Sequence, residues 1–346
     1  MTAGPLRLTS RRKTPEGDFE EVLEAVFGTE EDFVRAAASF MRREGFGDRV
    51  SSDGAAVERE LYGILESMWL TRWEGGLRKG FRARVARSLA DALRLGEIVS
   101  AAAAAAGLAR EPAPPDGGGA FSLYAGHTAD LLEGRIRKAG LTAAAKATET
   151  VLKSAALDAG LGGPEGATLD SAVVSAVREL AGEGVTGYRY PASGASISLE
   201  PYVRREIVNV MNRSAVEMQV ARAREWGADL IIVSAHAGAR PGCAPWQGKV
   251  LSVGGGASGR PRLSDTTHGR PDGLFGINCR HYCLPWFDGL NVRYPWEDDS
   301  SDPSLMLRRP DGSRITNGEI HEATQRQRYM ERRIRTFKRR AALLGA

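Results

Sequence analysis

Two stretches decide how this chain is read: His236-Ala-Gly-Ala-Arg-Pro-Gly-Cys-Ala-Pro-Trp-Gln-Gly-Lys249 and Gly276-Ile-Asn-Cys-Arg-His-Tyr-Cys283. With the Gly-rich sequence that joins them, they hold all three cysteines and three of the five histidines. Gly and Pro are too frequent there for long regular elements, so the polar and ligand-type residues belong to loops carried on a scaffold. Just upstream, Asp229-Leu-Ile-Ile-Val-Ser234 is a β-branched run and the strongest strand signal in the chain. Lys249 to Val253 reads as a second short strand. Residues 228–296 therefore form a compact, Gly-rich α+β module.

Outward from this module the chain reads as helix. Phe19, Val22, Leu23, Val26 and Phe27 recur at helical spacing, as do Leu61, Ile64, Leu65, Met68 and Trp69. Proline is absent between Pro15 and Pro112, so residues 1–110 form a helical N-terminal region. A Pro/Gly linker follows over 111–120, and a helical middle region over 121–227. Thr168 or Asp170 is placed to cap one helix there, and Ser198 to cap another that runs from Leu199 to Trp226. Pro201 falls in the first turn, where its missing N–H costs nothing, and Gly227 is suited to end the helix. Between them, Tyr188 to Gly194 reads as a short strand and turn.

Residues 297–346 comprise an acidic loop and a long basic amphipathic helix, with Asn317 as the candidate cap. Ile320, Ala323, Gln327, Met330, Ile334, Phe337, Ala341 and Leu344 alternate three and four residues apart, a seam suited to a partner helix. The other faces carry Arg326, Arg328, Arg332, Arg333, Arg335, Lys338, Arg339 and Arg340 against the single acid Glu331. Such a face can meet DNA phosphates or a protein partner; as a solvated face it needs neither. The expected fold class is thus α+β: a mainly helical N-terminal region, a small module and a long basic C-terminal helix.

Composition sets bounds on function. The 346 residues are 42% hydrophobic and 26% charged, ordinary for a globular protein. A net charge of +4 and a pI near 9.0 permit nucleic-acid contact without requiring it. Three cysteines cannot all pair, which favours a reducing compartment over a disulfide framework. No apolar run reaches the roughly 18 residues that span a bilayer, so no membrane partner is expected. Met1 to Lys13 is polar and basic, unlike a signal peptide. The expectation is a protein made and kept in a reducing cytoplasm.

The chemistry-bearing residues allow several sites. Cys243, Cys279, His281 and Cys283 can supply zinc ligands, with His236 as an alternative fourth. The spacing Cys-x-His-x-Cys is unlike a zinc knuckle, but in a strand 279, 281 and 283 would share one face. A zinc deaminase would need His-x-Glu and Pro-Cys-x-x-Cys, and neither is present. A His-based nuclease would need an acid, for which Asp265 and Asp272 are candidates. A cysteine nucleophile beside His236 or His281 lacks any orienting signature. Val253-Gly-Gly-Gly-Ala-Ser-Gly259 lacks the Lys-Ser/Thr ending of a phosphate-binding loop. The plain alternative is that His236, Arg240, Trp246, Gln247, Asn278, Arg280 and His281 hold the module together, with Arg240 and Arg280 fixing loops through paired hydrogen bonds.

An ordered series of motifs resembles one family. It runs from Ala176-Val-Arg-Glu-Leu-Ala-Gly-Glu-Gly-Val185 through Tyr190, Ser193-Gly194 and Leu199 to Arg204-Arg205. It continues with Asp229 to Ser234, His236-x-Gly-Ala-Arg-Pro241, Trp246-Gln-Gly-Lys-Val250 and Gly276-Ile-Asn-Cys-Arg-His281. Gln325-x-Gln-Arg-Tyr-Met-Glu-Arg-Arg-Ile-Arg335 closes it. Over residues 170 to 340 the chain resembles the phage minor capsid protein 2 family, and more distantly the phage Mu protein F-like head-morphogenesis group. The resemblance implies a structural, non-enzymatic protein of the phage or prophage head that associates with the portal in assembly or DNA packaging. It implies the portal and other head proteins as partners, the virion as location, and no catalytic residues. One departure bears on zinc: Cys243 stands where the resemblance leads one to expect a histidine.

Overall fold

A computed structural model describes residues 6–7, 15–112, 119–158, 169–183, 185–191, 193–254, 259–290, 292–293, 309–313 and 315–344. Helices dominate: α1 (Pro15–Asp18), α2 (Glu20–Met41), α3 (Phe46–Arg72), α4 (Phe81–Ala105), α5 (Gly119–Asp158), α6 (Leu169–Glu183), α7 (Leu199–Glu225) and α8 (Asn317–Leu344). The strands are short: β1 (Leu6–Arg7), β2 (Thr186–Arg189), β3 (Ser196–Ser198), β4 (Leu230–Val233), β5 (Val250–Ser252), β6 (Cys283–Trp286) and β7 (Val292–Arg293). The expected class, mainly helical α+β, is the one found. Most of the linker, the Gly-rich loop at 255–258, the acidic loop to 308 and the candidate cap Thr168 lie outside the described residues.

The chain divides into two compact units. One comprises Met1–Asp18, Arg82–Ala129 and Ile207–Arg328; the other comprises Phe19–Phe81, Asp130–Glu206 and Tyr329–Ala346. The second unit is built on an aromatic core. Phe19 and Phe81 meet edge-on at 5.3 Å, Trp73 reaches Phe81 at 6.0 Å, and Trp69 stacks on Trp73 at 6.3 Å. The Trp69 indole N–H is satisfied by the Arg137 carbonyl at 3.1 Å, as a buried tryptophan requires. Within α3 the helical dihedrals break at Asp53, whose carboxylate accepts from the Ala56 N–H at 2.9 Å and so recaps the chain. The β2–β3 hairpin is antiparallel, and Gly194 turns it with φ +66°.

The predicted start of α7 after Ser198 is where the helix begins, and Gly227, at φ +81°, follows its end. Its first free N–H groups find a remote partner. Glu30 of α2, buried at 1% exposure, accepts from the Glu200 N–H at 2.9 Å, placing a carboxylate at the positive end of the helix.

In the first unit, β5-β4-β6 form an antiparallel sheet in that order, with Ile231 paired to both Leu251 and Pro285. Every residue of β4 is buried, because the sheet is covered on both faces. Ile232 and Leu284 pack with Leu95, Val99 and Ala103 of α4 and with Trp226. Ile231 and Val233 turn the opposite way, toward Val216 of α7, Leu274, Phe275 and all three cysteines. Alternation of side chains along one four-residue strand thus splits the unit into two apolar clusters.

Candidate functional site

The site is assembled where the loop after β4 meets the loop before β6. The first loop turns at Gly238, φ +72°, where a Cβ would stand 2.7 Å from Cγ2 of Ile320 on α8. The Gly238 N–H donates to Oδ1 of Asn317 at 3.0 Å. This corrects the expected role of Asn317. Thr316 caps α8 instead, through a reciprocal pair in which Glu319 N–H donates to Thr316 Oγ1 at 3.2 Å and Thr316 N–H donates to Glu319 Oε2 at 2.8 Å.

The second loop needs two left-handed residues, Phe275 at φ 59° and Asn278 at φ 58°. Asparagine tolerates that region best among residues with a Cβ, which explains its place there. Two asparagines of α7, one helical turn apart, hold this loop. Asn209 Oδ1 accepts from the Asn278 N–H at 2.7 Å, and Asn212 Nδ2 donates to the Cys279 carbonyl at 2.8 Å. Sequence analysis missed both. The available signal was an Asn pair at i and i+3 beside the apolar positions of α7.

Arg240 joins the loops, donating to the carbonyls of Ile277 and Gly273 and through Nε to the Cys243 sulfur at 3.3 Å. Arg280 does not. It is exposed and lines a cavity, and no loop-fixing bond to it is found among the described residues. Trp246 is half-buried against the second apolar cluster, with the Lys249 ammonium 5.4 Å above its ring.

At the centre three ligand-type side chains converge. The Cys243 and Cys279 sulfurs are 3.7 Å apart, and Cys279 Sγ lies 3.3 Å from His281 Nδ1. The ligand atoms of these three buried residues all fall within 4.8 Å of one another. Cys283 stands apart from that group. The strand begins at Cys283 rather than running back through 279, so the shared-face expectation does not hold. Cys283 pairs with Val233 across the sheet and packs in the apolar cluster.

Gln247, buried at 7% exposure, organises the histidines. Its Oε1 accepts the His236 backbone N–H at 2.7 Å and faces His281 Nε2 at 3.1 Å. A backbone N–H can only donate, so the amide oxygen is the shared acceptor and His281 carries its proton on Nε2. The Nδ1 lone pair of His281 then points at Cys279. His236 packs its ring 4.4 Å from that of His281, with Nδ1 against the Ala237 carbonyl at 3.0 Å. Its Nε2 is buried without a hydrogen-bond partner among the described residues.

Electrostatics follow from this packing. Burial, then the electrostatic influence of neighbouring His281 and of Arg280, pushes His236 down to about 4, so it is neutral at physiological pH. The hydrogen bond from Cys279 pulls Cys243 down to about 4 against the cost of burial, with His281 and Arg240 adding to the pull. That same bond, together with burial, holds Cys279 up.

A cavity of about 220 Å³ opens on the cluster, walled by His236, Arg240, Cys243, Asn278, Cys279, Arg280 and His281 and by His321, Thr324, Gln325 and Arg328 of α8. No carboxylate lines it among the described residues. Asp265 accepts from the Arg262 N–H at 2.9 Å, and Asp272 pairs with Arg270 at 3.3 Å, both away from the cavity wall.

The basic C-terminal residues are distributed along α8. Arg328 is half-buried, Arg332, Arg333, Arg335 and Lys338 are exposed, and the side chains of Arg339 and Arg340 lie outside the described residues. Along the seam, Met330, Ile334 and Phe337 are 61%, 52% and 54% exposed. No helix among the described residues is long and apolar enough to cross a membrane.

Known proteins bear on this arrangement. A structural protein of Lactococcus phage LL-H is 31% identical over 152 residues, covering 42% of this chain and 37% of the relative. A structural protein of Lactococcus phage mv4 is 34% identical over 80 residues, covering 23% of this chain and 54% of the relative. The chain thus matches between about a third and a half of the length of these relatives. No solved structure matches. The family model for phage minor capsid protein 2 matches residues 123–345, which takes in α5 to α8 and the whole His/Cys module. The chain belongs to the phage minor capsid protein 2 family.

Proposed function

We propose that this chain is a minor structural component of a tailed-phage or prophage virion, without catalytic activity, that docks on the portal or a neighbouring head protein during head assembly or DNA packaging. The observation that carries this reading is the exposed apolar seam of α8. Met330, Ile334 and Phe337 recur at helical spacing and stay more than half exposed, whereas isolated proteins seldom leave a continuous large apolar stripe in water. The relatives, each a structural protein of a Lactococcus phage, point the same way. That no carboxylate among the described residues lines the cavity counts against a metal-dependent nuclease, which would need an acid to hold its ion or orient its base.

A second reading rests on the exposed Arg332, Arg333, Arg335 and Lys338 flanking that seam: contact with packaged DNA. One experiment separates the two. Phage heads are assembled with Ile334→Asp/Phe337→Asp or with Arg332→Gln/Arg333→Gln/Arg335→Gln, and incorporation of the chain is quantified. Loss of incorporation with the first variant alone supports protein docking. Loss of salt-sensitive DNA binding with the second variant, and unchanged incorporation with the first, would replace it by the DNA reading.

A further inference from the structure

We infer that Cys243, Cys279 and His281 form a zinc site that clamps the loop after β4 to the loop before β6. Tetrahedral zinc takes thiolate sulfur at about 2.3 Å and imidazole nitrogen at about 2.0–2.1 Å. Those lengths require the two sulfurs to stand about 3.8 Å apart and each sulfur about 3.6 Å from the nitrogen. The pairs already in place are 3.7 Å for the sulfurs and 3.3 Å for Cys279 Sγ to His281 Nδ1. Two of the three donor pairs thus sit at ligand spacing, and the third, Cys243 to His281, lies within 4.8 Å.

Three further features fit a metal rather than packing alone. Gln247 Oε1 fixes the far nitrogen of His281, the arrangement that orients most metal-bound imidazoles and sets which nitrogen is free to ligate. Two thiolates and one imidazole form a soft donor set that selects zinc over magnesium or calcium. All three donors line the cavity, whose wall also includes His236, with a buried Nε2 that has no hydrogen-bond partner among the described residues. On binding, any thiol still protonated loses its proton to solvent, leaving two thiolates and a neutral imidazole around a dication, with no net charge to bury.

The role is structural. Among the described residues, 234–282 hold two short 3-10 turns and one short strand, so the cluster closes a long excursion that few backbone ladders secure. This inference stands apart from the choice of partner for α8, since a metal clamp is compatible with either reading.

The test is elemental analysis and chelator competition on the full chain, followed by absorption spectra after cobalt exchange. The expected result is one zinc per chain and a cobalt spectrum with charge-transfer bands of two thiolates. Cys279→Ser should lower zinc affinity at least 100-fold, while Cys283→Ser, equally buried but outside the cluster, should bind as wild type. Cys243→His should still bind, with the thiolate absorption reduced to that of one sulfur. The wild-type spectrum decides the matter even if a serine variant fails to fold. Absence of metal at micromolar free zinc, equal loss in Cys283→Ser, or a Cys243–Cys279 disulfide as the resting state would overturn the inference.

Discussion

Replacing Gln247 by leucine tests whether this side chain, rather than the sheet, holds the two histidines in place. Leucine keeps a similar volume, so little cavity is created and the lost hydrogen bonds are isolated. Two donors lose their acceptor: the His236 backbone N–H at 2.7 Å and His281 Nε2 at 3.1 Å. Each orphaned buried donor costs about 1–3 kcal/mol. One effect opposes this, because Gln247 Nε2 is itself buried without a partner among the described residues and its removal returns about 1–3 kcal/mol. Two losses against one gain leave a net destabilisation of about 1–3 kcal/mol. The assay is hydrogen exchange by mass spectrometry on peptides covering His236. Opening at that amide should become roughly 5- to 150-fold more frequent, the equivalent of that energy. Peptides from α2 and α3 should be unchanged. Exchange at His236 within threefold of wild type would refute the assignment of Gln247 as the shared acceptor.

Two further outcomes follow from the packing. Gly140→Ala drives a methyl within 1.8 Å of Trp69 Cε2 in the aromatic core, an overpacking cost of about 1–3 kcal/mol or more that outweighs the roughly 1 kcal/mol gained in helix propensity. Gly134→Ala, on the same helix with open space at its Cβ, should instead stabilise, and urea denaturation of the pair reads the difference in sign. For pH, His236 is depressed from 6.5 to about 4, so below 6.5 the unfolded chain takes up a proton that the folded chain refuses. Stability from this group is complete above pH 6.5 and falls by up to about 3 kcal/mol as pH drops through 4. Chelator-treated protein unfolded at pH 7.5 and 4.5 should show that fall. A His236→Phe variant with the same pH slope would exclude His236 as its source.

Much of the helical architecture was legible before any tertiary information. The apolar spacing over Phe19–Phe27 and Leu61–Trp69, and the absence of proline from 16 to 111, are local constraints that the backbone satisfies within a few turns. So is the start of α7 after Ser198, its stop at Gly227 and the extent of α8 from Asn317 to Leu344. The β-branched run at 229–234 announced β4, because a strand covered on both faces must be apolar throughout. The cap of α8 was misplaced by one residue. Thr316 with Glu319 satisfies the capping geometry, which frees Asn317 for a partner distant in sequence.

The sequence by itself determined which residue types the site would contain, and the ordered motifs from 176 to 335 determined its family. Only the tertiary structure decided which of them meet. Cys243 and Cys279 are 36 positions apart, and their contact depends on the β5-β4-β6 order and on Asn209 and Asn212 of α7 holding the second loop. The same folding turned Cys283 into the sheet, sent Arg280 to the surface and aimed Arg240 at two carbonyls. Local sequence encodes dihedral preferences and periodicity, which act over a few residues. Convergence of loops is set by packing and by hydrogen bonds to groups far along the chain, whose partners no local pattern names.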